Sequence, residues 1–282
     1  LVAHGTPGQQ RRWLQPLAAG EMVGAFALTE PQAGSDAANL RTTARRVEGG
    51  YLLNGTKQFI TSGAVAGVAI TFAVTDADAG KRGMSAFLVP TDAAGFRVGR
   101  LESKLGQRAS DTAQLVYEDV FVGDDLRIGD EGEGYRIALA NLETGRIGIG
   151  AQSVGMAAAA LEQALEYARE RTAFGKPLTQ HQAVSFRLAD MATDVEAARQ
   201  LVLHAAALKD AGQPCLKEAC MAKLFASERA ERVASAAVQV LGGYGYVDDY
   251  LVEKIYRDVR VCQIYEGTSD IQRLLIGREL AS

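Results

Sequence analysis

Cysteine, histidine and tryptophan are scarce in this chain, at 3, 3 and 1 of 282 residues. Cys215, Cys220 and Cys262 form an odd set without a CxxC pair, so neither a disulfide framework nor a zinc site is expected. His4, His181 and His204 lie far apart with no HExxH pair, which leaves no protein-bound metal in prospect. A basic excess is also missing. The formal net charge of −4 argues against nucleic acid or an anionic membrane as partner. No apolar run approaches the ~18–20 residues of a membrane span, and no signal-peptide pattern is visible at Leu1. A reducing compartment is the default expectation, the cytoplasm of a bacterium or the mitochondrial matrix of a eukaryote.

What is present fits a globular chain, with 48% hydrophobic and 23% charged residues. A soft prior of ~150 residues per domain predicts two domains. Residues 1–21 are polar and helix-like and begin at Leu1 rather than methionine, so the start of the protein is expected upstream. From residue 22 to 131 the apolar pattern has period two with glycine-rich breaks, as in GAFALTE, ARRVEGGYLLNGTKQFIT, VAITFAVTD and AQLVYEDVFV. This predicts an antiparallel β domain, a barrel or sandwich, with Gly49-Gly50 and Asn54-Gly55 as hairpin turns. From 132 to 282 the period becomes helical. One very long helix ends at Gly175 and Pro177, a second at Gly212 and Pro214, and a third at Gly242-Gly243. Apolar residues three and four apart and abundant alanine predict a close-packed bundle. The fold class is therefore α+β, a β domain followed by an all-α helical bundle.

Several residues invite a chemical question, and each has a plain answer beside it. Glu266, in QIYEGTSD, falls between two helical runs where a carboxylate can face a cleft, although most loop acids are simply solvated. Glu143 and Arg146 sit one turn apart, equally suited to a surface ion pair or to a ligand. Gly242-Gly243 is a helix C-cap by itself. Phe59 in a strand is ordinarily core. GDEGEG (129–134) shares the glycine-rich letters of a dinucleotide loop, but its acids would repel phosphate.

Taken together and in order, TEPQAGSD (29–36), NGTKQFIT (54–61), RERTAFGKPL (169–178), QVLGGYGY (239–246), YRDVR (256–260) and IYEGTSDIQR (264–273) resemble the acyl-CoA dehydrogenases over essentially the whole chain. The resemblance implies a middle β domain (22–131) and a C-terminal four-helix domain (132–282), with residues 1–21 the tail of an N-terminal helical domain that is mostly not included. It implies conversion of a saturated acyl-CoA thioester to the 2-enoyl form, with electrons passing to electron-transfer flavoprotein. No side chain accepts a hydride, so FAD is implied. The family's FAD contacts map onto Phe26, Leu28, Thr29 and Ser35, onto Phe59, Ile60 and Thr61, and onto Arg171, Phe174, Gln182, Gln239, Gly242, Gly243, Thr268 and Asp270. Relatives often carry tryptophan where Phe59 stands, and a phenyl ring gives less area and no N–H donor. Ser35, Glu143, Arg146 and Gly267 map onto the CoA thioester, with Glu143 a longer acid than the usual aspartate. The arginine matching Arg171 reaches the cofactor of a neighbouring subunit, which implies a homo-oligomer, usually a dimer of dimers. Glu266 matches the catalytic base. Members with the base on the earlier helix carry it before the residue matching Arg146, where this chain has Gly145. The GRIGIGAQ stretch leans toward short-chain members. Two further readings stay open at this point, an oxygen-using acyl-CoA oxidase type and a catalytically silent partner subunit.

Overall fold

Eight strands form the first unit: β1 (Gly24–Ala27), β2 (Thr43–Val47), β3 (Gly50–Thr61), β4 (Val68–Val74), β5 (Met84–Pro90), β6 (Phe96–Leu101), β7 (Thr112–Gly123) and β8 (Arg127–Ile128). The computed structural model describes residues 1–281. The strand order is β6-β7-β3-β2-β4-β5-β8, with β1 on β4. Most pairings are antiparallel, as the period-two pattern with short turns requires, but β1 runs parallel to β4 and β2 touches β4 in parallel at Thr43 and Val74. The sheet is therefore mixed, and among the described strands its path does not close into a barrel. Alternate residues turn inward, so Tyr51, Leu53, Phe87, Leu115, Tyr117 and Val120 share one core. The Tyr117 hydroxyl is satisfied there by Thr71 Oγ1 at 2.8 Å.

Asn54-Gly55 corrects one expectation. These residues make no turn. They lie inside β3, where the register against β7 slips between Leu53 and Gly55. The Asn54 amide closes the bulge by donating to Asp119 Oδ1 at 2.8 Å and accepting from the Asp119 N–H at 2.9 Å. The dipeptide does mark a departure from ladder geometry, but the flanking apolar residues keep the strand running.

The N-terminal helical segment, α1 (Pro7–Gln9) and α2 (Gln15–Ala19) with a continuous turn between them, joins this unit. Thr6 and Gln9 form a reciprocal capping box. The Gln9 amide also donates to the carbonyls of Asp125 and Arg127, at 2.8 and 2.7 Å.

The second unit comprises residues 105–107 and 141–282. Its helices are α3 (Gly134–Glu170), whose first turns count with the β unit, α4 (Gln182–Asp210), α5 (Leu216–Leu241), α6 (Leu251–Val259) and α7 (Ser269–Ala281). Three long helices and two short ones thus occupy the place of the expected four. Ala157, Ala160, Ala164 and Ala168 repeat at three and four residues along α3, and Ala230, Ala234 and Ala237 do so along α5. Such a stripe presents little side-chain bulk and lets backbones approach. A short hairpin, β9 (Thr172–Ala173) and β10 (Lys176–Pro177), links α3 to α4. Among the described residues, no helix is long and apolar enough to cross a membrane.

Candidate active site

In the helical unit the chain leaves the turn after α6 and enters α7 through Tyr265–Ser269. Two successive residues there are left-handed, Glu266 at φ 54° and Gly267 at φ 86°. For a glutamate this conformation costs about 1–2 kcal/mol, so the surroundings must impose it. They do so through carbonyls. Lys223 Nζ donates to the Gly267 carbonyl at 2.5 Å, and Gln272 Nε2 donates to the same oxygen at 2.8 Å and to the Glu266 carbonyl at 3.2 Å. Glycine suits position 267 because its φ of 86° strains any L side chain, and a Cβ would also push on Gln272 Nε2 at 2.7 Å. Thr268 then starts α7, its Oγ1 accepting from the Ile271 N–H at 3.3 Å.

This turn aims the Glu266 carboxyl at α3. A Cβ built on Gly145 would lie 2.5 Å from Glu266 Oε2, so the carboxylate rests against bare helix backbone. Oε2 is buried and has no hydrogen-bond partner among the described residues. Burial pushes the Glu266 carboxyl above the ordinary carboxylate range, and the charges of Arg146 and Lys223 pull it partly back. Arg146 is buried as well, and its Nε lacks a partner among the described residues. Lys223 is fully buried on α5. Desolvation pushes its ammonium down to about 8, against opposing pulls from Cys262 and Glu266. Beside Glu266, the Tyr265 hydroxyl donates to Gln152 Oε1 at 2.7 Å. Burial raises that phenol, which stays protonated at neutral pH.

Glu143 and Arg146 do not pair across their helical turn. Glu143 accepts from Lys209 Nζ at 3.1 Å and from Cys215 Sγ at 3.6 Å, while Arg146 faces the Glu266 cluster. A second feature of this unit is a cleft of about 540 Å³ lined by Tyr167, Arg171, Leu178, Gly242, Gly243 and Tyr244, among others. The Arg171 guanidinium lies 5.9 Å over the Tyr244 ring. A Cβ on Gly242 or Gly243 would meet nothing within 4 Å, so the helix end offers open backbone. Gln239 lies in the last turn of α5, and Gln182 opens α4. Phe174 is 97% exposed in the β9–β10 turn, and Asp270 lies exposed near Arg273, at 3.5 Å.

The β unit holds the remaining sequence-predicted residues, on β1 and the loop after it and at the end of β3. The Gln58 N–H donates to the Thr29 carbonyl at 2.8 Å. Beneath them lies a buried ion pair that no sequence motif announces. Lys57 Nζ reaches Glu30 Oε1 at 2.8 Å and the Leu28 carbonyl at 3.0 Å. Glu30 also accepts from the N–H groups of Arg41 and Thr42, at 2.7 and 3.0 Å. Burial alone would raise the Glu30 carboxyl, but Lys57 and these hydrogen bonds hold it down at about 2. The pair fixes the TEPQAGSD loop to β3, whose backbone turns out at Phe59, at φ 59° and 62% exposed. Thr29 is half-buried, and Ser35 and Thr61 are exposed. Phe26 packs on Phe72 at 5.0 Å. Leu28 and Ile60 turn into the core, so they offer a ligand backbone groups only.

Lys223 and Gln272 also escape sequence reasoning, although one signal is readable. Ala219, Ala222, Lys223, Ala226 and Ala230 share the buried stripe of α5, and a lysine on such a stripe is out of place unless it has work there.

The family profile "Acyl-CoA dehydrogenase, C-terminal domain" matches residues 132–281, and "Acyl-CoA dehydrogenase, middle domain" matches residues 25–120. An acyl-CoA dehydrogenase of Bacillus subtilis is 53% identical over 99% of this chain and 74% of its own length. The mitochondrial short-chain specific acyl-CoA dehydrogenase of Bos taurus is 48% identical over 99% of this chain and 68% of its own. The solved structure of butyryl-CoA dehydrogenase from Megasphaera elsdenii superposes with a TM-score of 0.98 at 45% identity, covering 99% of this chain and 73% of that one.

Proposed function

Because the chain belongs to the acyl-CoA dehydrogenase family, we propose that Glu266 is the base that removes the α-proton of a short-chain acyl-CoA thioester. Acyl-CoA dehydrogenation itself comes with the family, as does dependence on FAD. The observation that carries the base assignment is Glu266 Oε2, enclosed, without a partner among the described residues and laid against the bare backbone of Gly145.

The chemistry follows from that atom. A proton α to a thioester is weakly acidic, and a fully hydrated carboxylate is too weak a base to remove it quickly. Desolvation raises the proton affinity of Glu266, and the absence of a hydrogen-bond donor among the described residues leaves a lone pair of Oε2 available. The left-handed turn at Glu266 and Gly267 holds the carboxyl against the Gly145 backbone. The Arg146 charge favours the ionised carboxylate before transfer.

The residues present fit FAD. Arg171 and the open Gly242-Gly243 backbone suit a pyrophosphate and its flanking groups, with Phe174, Gln182, Gln239, Thr268 and Asp270 completing the helical unit's share. Thr29, Ser35, Phe59 and Thr61, with the backbone of Phe26, Leu28 and Ile60, make the β unit's share, on the segments fastened by Lys57 and Glu30. When bound, FAD supplies the hydride acceptor that no side chain can provide, and electron-transfer flavoprotein takes the electrons onward. Ser35, Glu143 and Gly267 are assigned to the CoA thioester. Arg171 serves the cofactor of a second copy of the chain, so Arg171→Ala loses FAD and a monomer retaining stoichiometric FAD overturns that assignment.

The test of the base is Glu266→Gln in the FAD-loaded protein, mixed anaerobically with butyryl-CoA. Flavin bleaching falls by at least ~10³-fold while FAD stays bound, the loss expected for a positioned base. Bleaching at a near-normal rate would place the base elsewhere.

A further inference from the structure

The Glu266 turn is fastened by a charged group the reaction does not consume. Lys223 comes from the middle of α5, is fully buried, and spends its ammonium on a neutral acceptor, the Gly267 carbonyl at 2.5 Å. That carbonyl already accepts from Gln272 at 2.8 Å, so the hydrogen bond alone does not account for a buried charge. A neutral donor would fasten the turn without the cost of desolvating an ammonium. What a lysine adds over a neutral donor is its charge, and the carboxylate next to that carbonyl is Glu266, whose Oε2 has no partner among the described residues.

We propose that Lys223 is the positioning residue of this site: its ammonium ties down the Gly267 carbonyl and its charge, acting through space, keeps the Glu266 carboxyl ionised and ready to take a proton. The inference rests on Glu266 as the base.

The charged and titratable groups around Glu266 and Lys223 are few enough to separate. Arg146 on α3 and Lys223 on α5 are the cations, and both lower the proton affinity of the carboxyl against the larger effect of burial. Cys220 on α5 and Cys262 and Tyr265 in the preceding turn are protonated at neutral pH, because burial raises all three. Asp270 on α7 is solvent-exposed beside Arg273. Neutralising Lys223 therefore leaves Arg146 as the single cation acting on a desolvated carboxyl, and Glu266 stays protonated to higher pH. A hydrogen bond to the carboxylate would achieve the same ionisation but would occupy the lone pair the reaction needs. Placing the charge on the neighbouring carbonyl avoids that conflict.

The experiment compares Lys223→Met, Lys223→Gln and Lys223→Arg with the parent protein. The Glu266 carboxyl is titrated by infrared difference spectroscopy without substrate, its band assigned by loss in Glu266→Gln, and flavin bleaching by butyryl-CoA is followed against pH. Lys223→Met moves the carboxyl midpoint up by about one pH unit or more. Bleaching below the new midpoint then falls about tenfold for each pH that the midpoint climbs, and it recovers at high pH. Lys223→Arg, which keeps the charge, restores the parent midpoint. Gln272→Leu loosens the turn without touching a charge, so it lowers the high-pH plateau and leaves the midpoint in place. Lys223→Gln supplies a second neutral variant should the methionine disturb packing. An unmoved carboxyl midpoint in the neutral variants overturns the proposal, whatever their rates. Near-normal bleaching by Glu266→Gln would instead overturn the base, an outcome the infrared midpoint distinguishes from the first.

Discussion

Lys57 in the β unit and Lys223 in the helical unit are the same side chain at the same burial, and desolvation pushes each ammonium down to about 8. Their carboxylates are treated in opposite ways. Glu30 receives Lys57 directly at 2.8 Å, together with two backbone N–H groups and the Gln32 amide. Glu266 receives no donor at Oε2 among the described residues, because Lys223 is turned to the Gly267 carbonyl. The first network is complete, and its use is to hold backbone. The second is short of one hydrogen bond, at the atom where a proton is to arrive. Burial and charge alone do not separate a structural pair from a reactive one; the account of satisfied lone pairs does.

The comparison breaks most visibly at the two carboxylates. Glu266→Gln removes at least ~10³-fold from flavin bleaching, equivalent to about 4 kcal/mol, and scarcely alters the unfolding midpoint. Glu30→Gln should do the reverse, with stability falling and the intrinsic rate of protein that remains folded and FAD-loaded close to the parent's. Lys57→Met alone strands a buried carboxylate and destabilises by about 3–5 kcal/mol in denaturant titration, whereas the double variant Glu30→Gln/Lys57→Met recovers most of that loss. A double variant as unstable as the single would show that the pair is not the unit that matters.

The two carboxyls also differ in the sign of their acid response. Glu30 is held below its ordinary value of 4.5, at about 2, so its contribution to stability is complete above 4.5 and is lost as pH falls from 4.5 toward 2. Glu266 is raised, so it gives folding no such support and opposes it as it ionises. Urea midpoints measured from pH 5 to 2 should fall in the parent and fall less in the Glu30→Gln/Lys57→Met protein.

Gly145→Ala sharpens the geometry. The new methyl group would stand 2.5 Å from Glu266 Oε2 and displace the carboxyl, lowering bleaching about tenfold or more. Alanine in a helix interior is favoured over glycine by about 1 kcal/mol, so the same variant loses rate without a matching loss of stability. An unchanged rate would mean that the carboxyl does not act from its place against α3. Smallest of all, Lys223→Met should change the unfolding free energy by about 1 kcal/mol or less, because it removes an unpaired buried charge along with one hydrogen bond. The contrast with Lys57→Met is the point of the measurement.

Much of the architecture is legible in the letters alone. Period-two and helical patterns separate a β region from a helical one near residue 131, and they place Glu266 between two helices, where it stands. The motif letters single out Thr29, Phe59, Arg171 and Gly242 without saying which parts of them a ligand could reach. Leu28 and Ile60 show that limit, since both side chains are buried. Asn54-Gly55 shows another. A turn dipeptide inside a long apolar strand becomes a bulge, because pairing with β7 continues on both sides of it. Glu143 and Arg146 show a third. Their helical spacing suggests an ion pair, but Lys209 supplies the better-placed cation for Glu143, at 3.1 Å.

The sequence by itself determined the β and helical regions, their order and, through its motifs, the family and the acid at position 266, because periodicity and short motifs act over a few neighbouring residues. Only the tertiary structure decided which polar atoms were left unsatisfied. Glu266 Oε2 owes its state to Gly145 on α3, Lys223 on α5 and Gln272 on α7, segments far apart along the chain that meet only when the unit folds. Spacing tells which face of a helix a residue occupies. Desolvation and hydrogen bonding depend on what stands across from that face, over distances of a few ångströms that no local pattern specifies.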